Sequence, residues 1–172
     1  QDQFVQKLGT LPLLYEPGHV WHYGVSTDLL GALVERVSGQ SLSAFFKSRI
    51  FEPLSMHDTS FYVPDEKLER FATSYAPGLD VVDAYKTSDF RKPERLESGG
   101  GGLISTAADY LNFCQMLLDG GTFEGTRLLQ AETVYAMTQN QLPPGVWAYG
   151  VFGFGLGVQV QMQNWGNKAH VG

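Results

Sequence analysis

The fold of this chain is organised around one stretch, Trp21-His22-Tyr23-Gly24-Val25-Ser26-Thr27-Asp28-Leu29-Leu30-Gly31-Ala32-Leu33-Val34-Glu35-Arg36-Val37-Ser38-Gly39. It predicts a helix from Ser26 to Ser38, because capping residues precede apolar residues at helical spacing. The candidate caps are Ser26, Thr27 and Asp28. The expected apolar face comprises Leu29, Leu30, Leu33, Val34 and Val37. Gly39 can end the helix in a left-handed turn.

Tyr23 directly precedes this helix. If the helix is buried, as its apolar face predicts, the Tyr23 hydroxyl is free to point into a cleft and to transfer protons there. The alternative is a tyrosine that packs beneath the helix start as a purely structural residue. The residues alone leave both interpretations open.

The composition is that of an ordinary globular protein, with 172 residues of which 43% are hydrophobic and 17% charged. This length is enough for one core. The net charge of −6 argues against a nucleic-acid partner. No apolar run approaches the ~18–20 residues of a membrane span. Cys114 is the single cysteine, which excludes an internal disulfide, and we interpret it as a small, buried hydrophobic residue. The sequence does not decide whether the protein is cytoplasmic, periplasmic or secreted.

Further helices are expected along the chain. A short one is predicted near Phe4 to Leu8, and another is capped by Ser41 or Ser43 and runs to about Ile50. Weak helical character covers 65–71. Ser105 or Thr106 is expected to cap a helix whose buried side holds Leu111, Phe113, Cys114, Leu117 and Leu118. A last helix is predicted from Glu132 to Gln139.

Strand signals are fewer and later. We expect a short strand at 60–63, an irregular loop at 72–96, and an alternating strand at 152–161. A turn at 164–167 then leads into a return strand at 168–172. The predicted fold class is α+β, as one partial domain over 1–172: mostly helices and loops over about 16–148, then strands of an antiparallel sheet over 149–172.

Four glycines, Gly99 to Gly102, stand before the helix that follows Ser105. Backbone without side chains can approach a ligand or a strand closely. The alternative, which we favour, is a tight packing turn before the helix.

An ordered set of short motifs resembles the serine β-lactamase and penicillin-binding-protein superfamily, and more narrowly the class C β-lactamase-like serine hydrolases and esterases. The matching motifs are Glu16-Pro17-Gly18, Tyr23, Leu29-Leu30-Gly31, Glu35, Ser38-Gly39, Pro53-Leu54-Ser55-Met56, Thr59 and Gly100-Gly101-Gly102-Leu103-Ile104-Ser105-Thr106-Ala107-Ala108-Asp109. The resemblance implies a β-lactamase-like fold and a chain that is cut from a longer protein at both ends.

The resemblance also implies roles for individual residues. Tyr23 matches the proton-transfer tyrosine of the family. Val25 takes the place of an asparagine that hydrogen-bonds the amide side chain of β-lactams, which puts β-lactamase activity in doubt and favours esters. His170-Val171-Gly172 matches the Lys-Thr-Gly strand in its esterase-like form, so that His170 and Gly172 would bind substrate.

The nucleophile of the family lies in a Ser-x-x-Lys motif, and no serine of this chain has a lysine three residues on. Ser43 and Lys47 are four apart. The resemblance places the missing pair upstream of Gln1, so the fragment alone is expected to be inert. Loss of the pair in a degenerate protein is the alternative.

The resulting hypothesis is a serine hydrolase that acts through an acyl-enzyme on small esters or amides. Its partners would be a small ester, amide or lactam substrate and the remainder of the same protein, with no cofactor. The alternatives are a penicillin-recognising or regulatory binding module with little turnover, and an acyltransferase or peptidase on the same scaffold. Tyr75 and Tyr85 are weaker candidates for substrate contact. His19 and His22 lack metal-ligand spacing, so no metal site is predicted.

Overall fold

The computed structural model describes residues 2–83, 88–92 and 96–162. The described residues within Gln1–Lys7 and Val25–Cys114 form one compact unit, and those within Leu8–Gly24 and Gln115–Gly172 form another. The predicted turn at 164–167 and the return strand at 168–172 lie outside the described residues.

The helices of the described chain agree closely with the sequence patterns. They are α1 (Asp2–Leu8), α2 (Ser26–Ser38), α3 (Leu42–Phe46) with a π-helical turn at Lys47–Phe51, α4 (Ala107–Leu118) and α5 (Ala131–Thr138). Short 3₁₀ turns occupy Asp65–Arg70 and Asp89–Arg91. Gly39 ends α2 with a φ of 69°, as predicted.

The strands are short and pair into antiparallel hairpins. They are β1 (Ser74–Tyr75) with β2 (Val81–Asp83), β3 (Thr122–Phe123) with β4 (Thr126–Arg127), and β5 (Gly153–Phe154) with β6 (Gln159–Val160). The first two hairpins lie before residue 149, in the part of the chain that was expected to hold mostly helices and loops. The stretch 152–161 is a hairpin rather than one strand, and 60–63 contributes only an isolated bridge from Ser60 to Ile104.

The joint between α2 and α3 is held by side chains that satisfy the first amides of α3. Ser41 Oγ accepts from Ala44 N at 3.2 Å, which confirms Ser41 as the cap. Glu35 Oε1 accepts from Leu42 N at 2.8 Å, and Glu97 Oε2 accepts from Ser43 N at 2.7 Å. Because amides at a helix start lack intrahelical partners, these three acceptors fix where α3 begins.

The start of α2 differs from the expectation. Val25 is its N-cap residue, without a side-chain cap hydrogen bond, so capping by Ser26, Thr27 or Asp28 was wrong. The Asp28 carboxylate accepts from Ser98 Oγ and from Gly100 N instead.

The apolar face of α2 is also not buried. The buried residue of α2 is Gly31, whereas Leu29, Leu30, Leu33 and Val37 are exposed. Gly31 is the point of contact because a Cβ there would lie only 3.0 Å from Gly99 Cα. Close backbone approach, rather than the leucine stripe, therefore places α2 in its unit.

The buried side of α4 differs in a similar way. Leu111 and Leu118 are exposed, while Asp109 and Met116 are buried. Asp109 turns inward because its carboxylate receives hydrogen bonds from the segment before the 3₁₀ turn Asp65–Arg70. Each unit has an apolar core: Leu42, Phe51, Leu54, Met56, Phe61 and Val63 in the first; Met116, Phe123, Val134 and Ala148 in the second.

Candidate functional site

Tyr23 lies in a segment without regular secondary structure, two residues after Trp21. The centroids of these two rings are 6.4 Å apart, whereas the ring of the intervening His22 lies 5.6 Å from that of Tyr15. Trp21 and Tyr23 therefore lie on the same side of this segment, and the intervening His22 lies on the other side. Tyr23 is 72% exposed, so it does not pack as a buried residue beneath the start of α2.

Val25 follows in the chain as the N-cap residue of α2, and its carbonyl oxygen accepts from Leu29 N at 3.1 Å. Val25 is exposed, and its side chain has no hydrogen-bonding group. Tyr23 belongs to the unit that includes Leu8–Gly24, and Val25 belongs to the unit that includes Val25–Cys114. His170 and Gly172, the other predicted site residues, lie outside the described residues, as does Tyr85.

The segment around Tyr23 contains an aromatic cluster that the sequence reasoning missed. Trp21 packs against Tyr149, with centroids 4.6 Å apart, and against Phe154 at 5.3 Å. No local sequence pattern indicates this cluster. The pairing itself joins positions far apart in the chain.

The glycine run forms a packing contact, as favoured from sequence. A Cβ on Gly99 would lie 2.9 Å from Gly31 N, whereas one on Gly101 would meet nothing within 4 Å. Gly99 therefore contacts α2 through backbone alone, and Ser98 adds its hydrogen bond to Asp28. The first turn of α2 is fixed by this loop.

A polar network surrounds the start of α4. Asp109 Oδ2 accepts from Asp58 N and from Thr59 Oγ1, both at 2.8 Å, and Thr59 Oγ1 lies 2.8 Å from Ser105 Oγ. Thr106 Oγ1 accepts from Asp109 N at 3.1 Å and so caps α4, as one of the two predicted candidates. The sequence signal was Thr106 with an acid three residues on, typical of a helix start.

The side chain of Asp58 is ion-paired on both oxygens. Arg70 Nη2 and Lys67 Nζ each lie 2.7 Å from it. The Arg70 guanidinium, and then the Lys67 ammonium, hold the pKa of the Asp58 carboxyl well below its usual range. The same hydrogen bond to Asp58 raises the pKa of Arg70. Asp58 thus stays ionised at neutral pH and does not suit proton transfer.

A cavity of about 740 Å³ lies beside this network, and its lining includes Asp58, Lys67, Arg70, Phe71 and Phe90. Neither Tyr23 nor Val25 lines it. Lys67 and Arg70 in its wall are paired with Asp58, and Lys47 lies 4.0 Å from Glu52. Because these cations already have carboxylate partners, the cavity does not replace the Tyr23 segment as the candidate site. Tyr75 is exposed on β1.

No group of three or more potential metal ligands occurs among residues 2–83, 88–92 and 96–162. Within those same ranges, none of the helices has the length and apolarity to span a bilayer.

Comparison with known proteins gives a consistent picture. The sequence model of the Beta-lactamase family, described as Beta-lactamase, matches residues 1–171. Protein Rv1367c of Mycobacterium tuberculosis is 37% identical over 145 residues, which are 82% of this chain and 36% of that protein. Lovastatin esterase of Penicillium rubens is 34% identical over 153 residues, 84% of this chain and 36% of the esterase.

Among solved structures, EstCE1, described as a hydrolase with promiscuous acyltransferase activity, superposes with a TM-score of 0.77 at 25% identity. The match covers 93% of this chain and 45% of EstCE1. The chain thus spans about a third of the length of the curated relatives it matches, and less than half of this structural neighbour.

Proposed function

Because the chain belongs to the Beta-lactamase family and has its α+β fold, we propose that it is part of a serine hydrolase acting through an acyl-enzyme on small esters or amides. The observation that carries the proposal is the agreement between the family match over residues 1–171 and the similarity to lovastatin esterase and to the hydrolase EstCE1. The nucleophilic serine and its lysine belong to the remainder of the protein, which this chain needs as its partner. The 172 residues form part of a single β-lactamase-like domain.

Tyr23 is the proton-transfer residue of this proposal. The phenolate of an exposed tyrosine can accept the proton of the serine as the serine attacks a carbonyl, and the phenol that results can give this proton to the leaving group. A cation must stand near such a phenol for it to act as a base near neutrality, since its ordinary pKa is about 10. The lysine of the Ser-x-x-Lys motif supplies that cation.

Val25, His170 and Gly172 bind substrate in the proposal. The apolar side chain of Val25 cannot hydrogen-bond an amide substituent, which favours simple esters over β-lactams. His170 can hydrogen-bond the acyl or leaving group through its imidazole.

The test is fluorophosphonate labelling of the full-length protein, followed by peptide mapping of the tagged residue. We expect a tag on a serine outside these 172 residues, within Ser-x-x-Lys. A folded protein that takes no tag would contradict the proposal and leave a binding module on the same scaffold.

Acyl transfer is the second candidate function, because EstCE1 is described as a hydrolase with promiscuous acyltransferase activity. Both functions share the acyl-enzyme and differ in what attacks it. Adding an alcohol or amine acceptor to the hydrolysis reaction separates them: a transferase yields the new ester or amide faster than the free acid, and a hydrolase does the reverse.

A further inference from the structure

Trp21, Tyr149 and Phe154 form a surface that the proposed chemistry does not use, named here the aromatic platform. The Trp21 ring is tilted by 56° to that of Tyr149 and by 48° to that of Phe154. Tyr149 is 57% exposed, and Trp21 and Phe154 are partly exposed. These three aromatic side chains are therefore accessible to solvent and do not belong to the buried core of their unit.

The backbone of Tyr149 indicates that its side chain matters. Its φ is +50°, followed by +79° at Gly150, in a turn closed by Ala148 N to Phe152 O at 2.7 Å and Phe152 N to Ala148 O at 2.9 Å. A bulky residue in the left-handed region is uncommon, and such turns prefer asparagine or glycine. Tyrosine is thus unfavourable for the backbone conformation of this turn, whereas its ring packs against Trp21.

The platform lies beside the proposed proton-transfer residue. Trp21 joins the two, since its ring lies 4.6 Å from that of Tyr149 and 6.4 Å from that of Tyr23, centroid to centroid. All these residues belong to the same unit. Trp21 therefore places the platform next to the ring of Tyr23.

We infer that the aromatic platform binds an aromatic acyl group of the ester substrate. This rests on the proposed function and deepens it by naming the substrate class. Aromatic rings prefer offset or edge-to-face partners at centroid distances of about 4.5–7 Å, the spacing that the platform already uses internally. Its three side chains are uncharged, which favours stacking of a neutral ring over binding of an ion.

The first test compares ethyl benzoate with ethyl acetate in the full-length protein. Tyr149→Gly removes the ring while suiting the left-handed backbone, and it should lower the benzoate-to-acetate ratio of kcat/KM about three- to tenfold. Tyr135→Gln is the matched control, because Tyr135 is an exposed tyrosine on α5. It should leave the ratio unchanged. An unchanged ratio in Tyr149→Gly, or an equal fall in both variants, would overturn the inference.

A second test does not depend on turnover. Acetonaphthone, a neutral ketone that cannot be hydrolysed, is titrated into the full-length protein and followed by saturation-transfer NMR. We expect binding that Tyr149→Gly weakens at least threefold and Tyr135→Gln does not. Binding without any ester hydrolysis would contradict the proposed function but support the platform as a binding site. No binding, or equal binding by wild type and Tyr149→Gly, would contradict the platform as a binding site.

Discussion

The polar network at the start of α4 and the segment around Tyr23 place their ionisable groups in opposite settings. Asp109 is 7% exposed and its carboxylate is held by hydrogen bonds from Asp58 N and Thr59 Oγ1. Tyr23 is 72% exposed and lies beside an aromatic surface. A buried carboxylate whose oxygens already accept hydrogen bonds stabilises the fold, because breaking those hydrogen bonds costs free energy. A group that transfers protons has to be reachable by the substrate.

The largest expected effect concerns Tyr23, the exposed residue of this comparison. In the full-length protein, Tyr23→Phe should lower kcat for ester hydrolysis by about 10²–10⁴-fold, the range for losing a general acid–base group. Only the exposed hydroxyl is lost, so the melting temperature should stay the same. Steady-state kinetics and thermal unfolding measure the two quantities.

The matched control is Tyr135→Phe, which removes the same atom from an exposed tyrosine of α5. It should change neither kcat nor the melting temperature. If Tyr23→Phe behaves like this control, Tyr23 has no part in the mechanism.

The local part of the fold could be predicted from sequence. The range Ser26–Ser38 of α2 was predicted residue for residue, the helix at 132–139 to within one residue of Ala131–Thr138, and Gly39 as a left-handed terminus. The family and the α+β fold class were predicted from ordered motifs and are confirmed. These features depend on spacing within one segment, which the sequence displays directly.

Features that depend on distant partners were missed. The sequence pattern of α4 placed Leu111 and Leu118 on its buried side, but both are exposed, whereas Asp109 is buried and accepts hydrogen bonds from a segment about 50 positions earlier. Two-residue strands carry too little alternation to detect. For the same reason Tyr23 and Val25 were found by motif, whereas the contact between Trp21 and Tyr149 was not.

The next largest effect concerns the close backbone contact between Gly99 and Gly31 of α2. A Cβ on Gly99 would collide with Thr27 O and lie 2.9 Å from Gly31 N, but one on Gly101 would meet nothing within 4 Å. Gly99→Ala should therefore lower the free energy of unfolding by about 1–3 kcal/mol, as for overpacking in a core. Gly101→Ala should change it by less than about 0.5 kcal/mol. Urea denaturation of the full-length protein measures both, and equal stabilities would show that α2 does not depend on this backbone contact.

The smallest effect concerns the ion pairs of Asp58, whose side chain is 25% exposed. Arg70 and Lys67 lower its pKa in the folded state, so the unfolded chain binds its proton first as the pH falls. The stabilisation is thus fully present above the ordinary carboxyl pKa of about 4 and is lost progressively below it.

Asp58→Asn should accordingly reduce the free energy of unfolding at pH 7 by at most about 1 kcal/mol, because water screens a partly exposed pair. The difference from wild type should shrink as the pH is lowered from 5 towards 2. Asp119→Asn is the charge-matched control, since that exposed carboxylate accepts from Gln115 Nε2 rather than from a cation. A difference that grows on acidification would mean that Asp58 binds its proton more tightly in the folded state, and the contrast between a fixed charge at Asp58 and a transferable proton at Tyr23 would then fail.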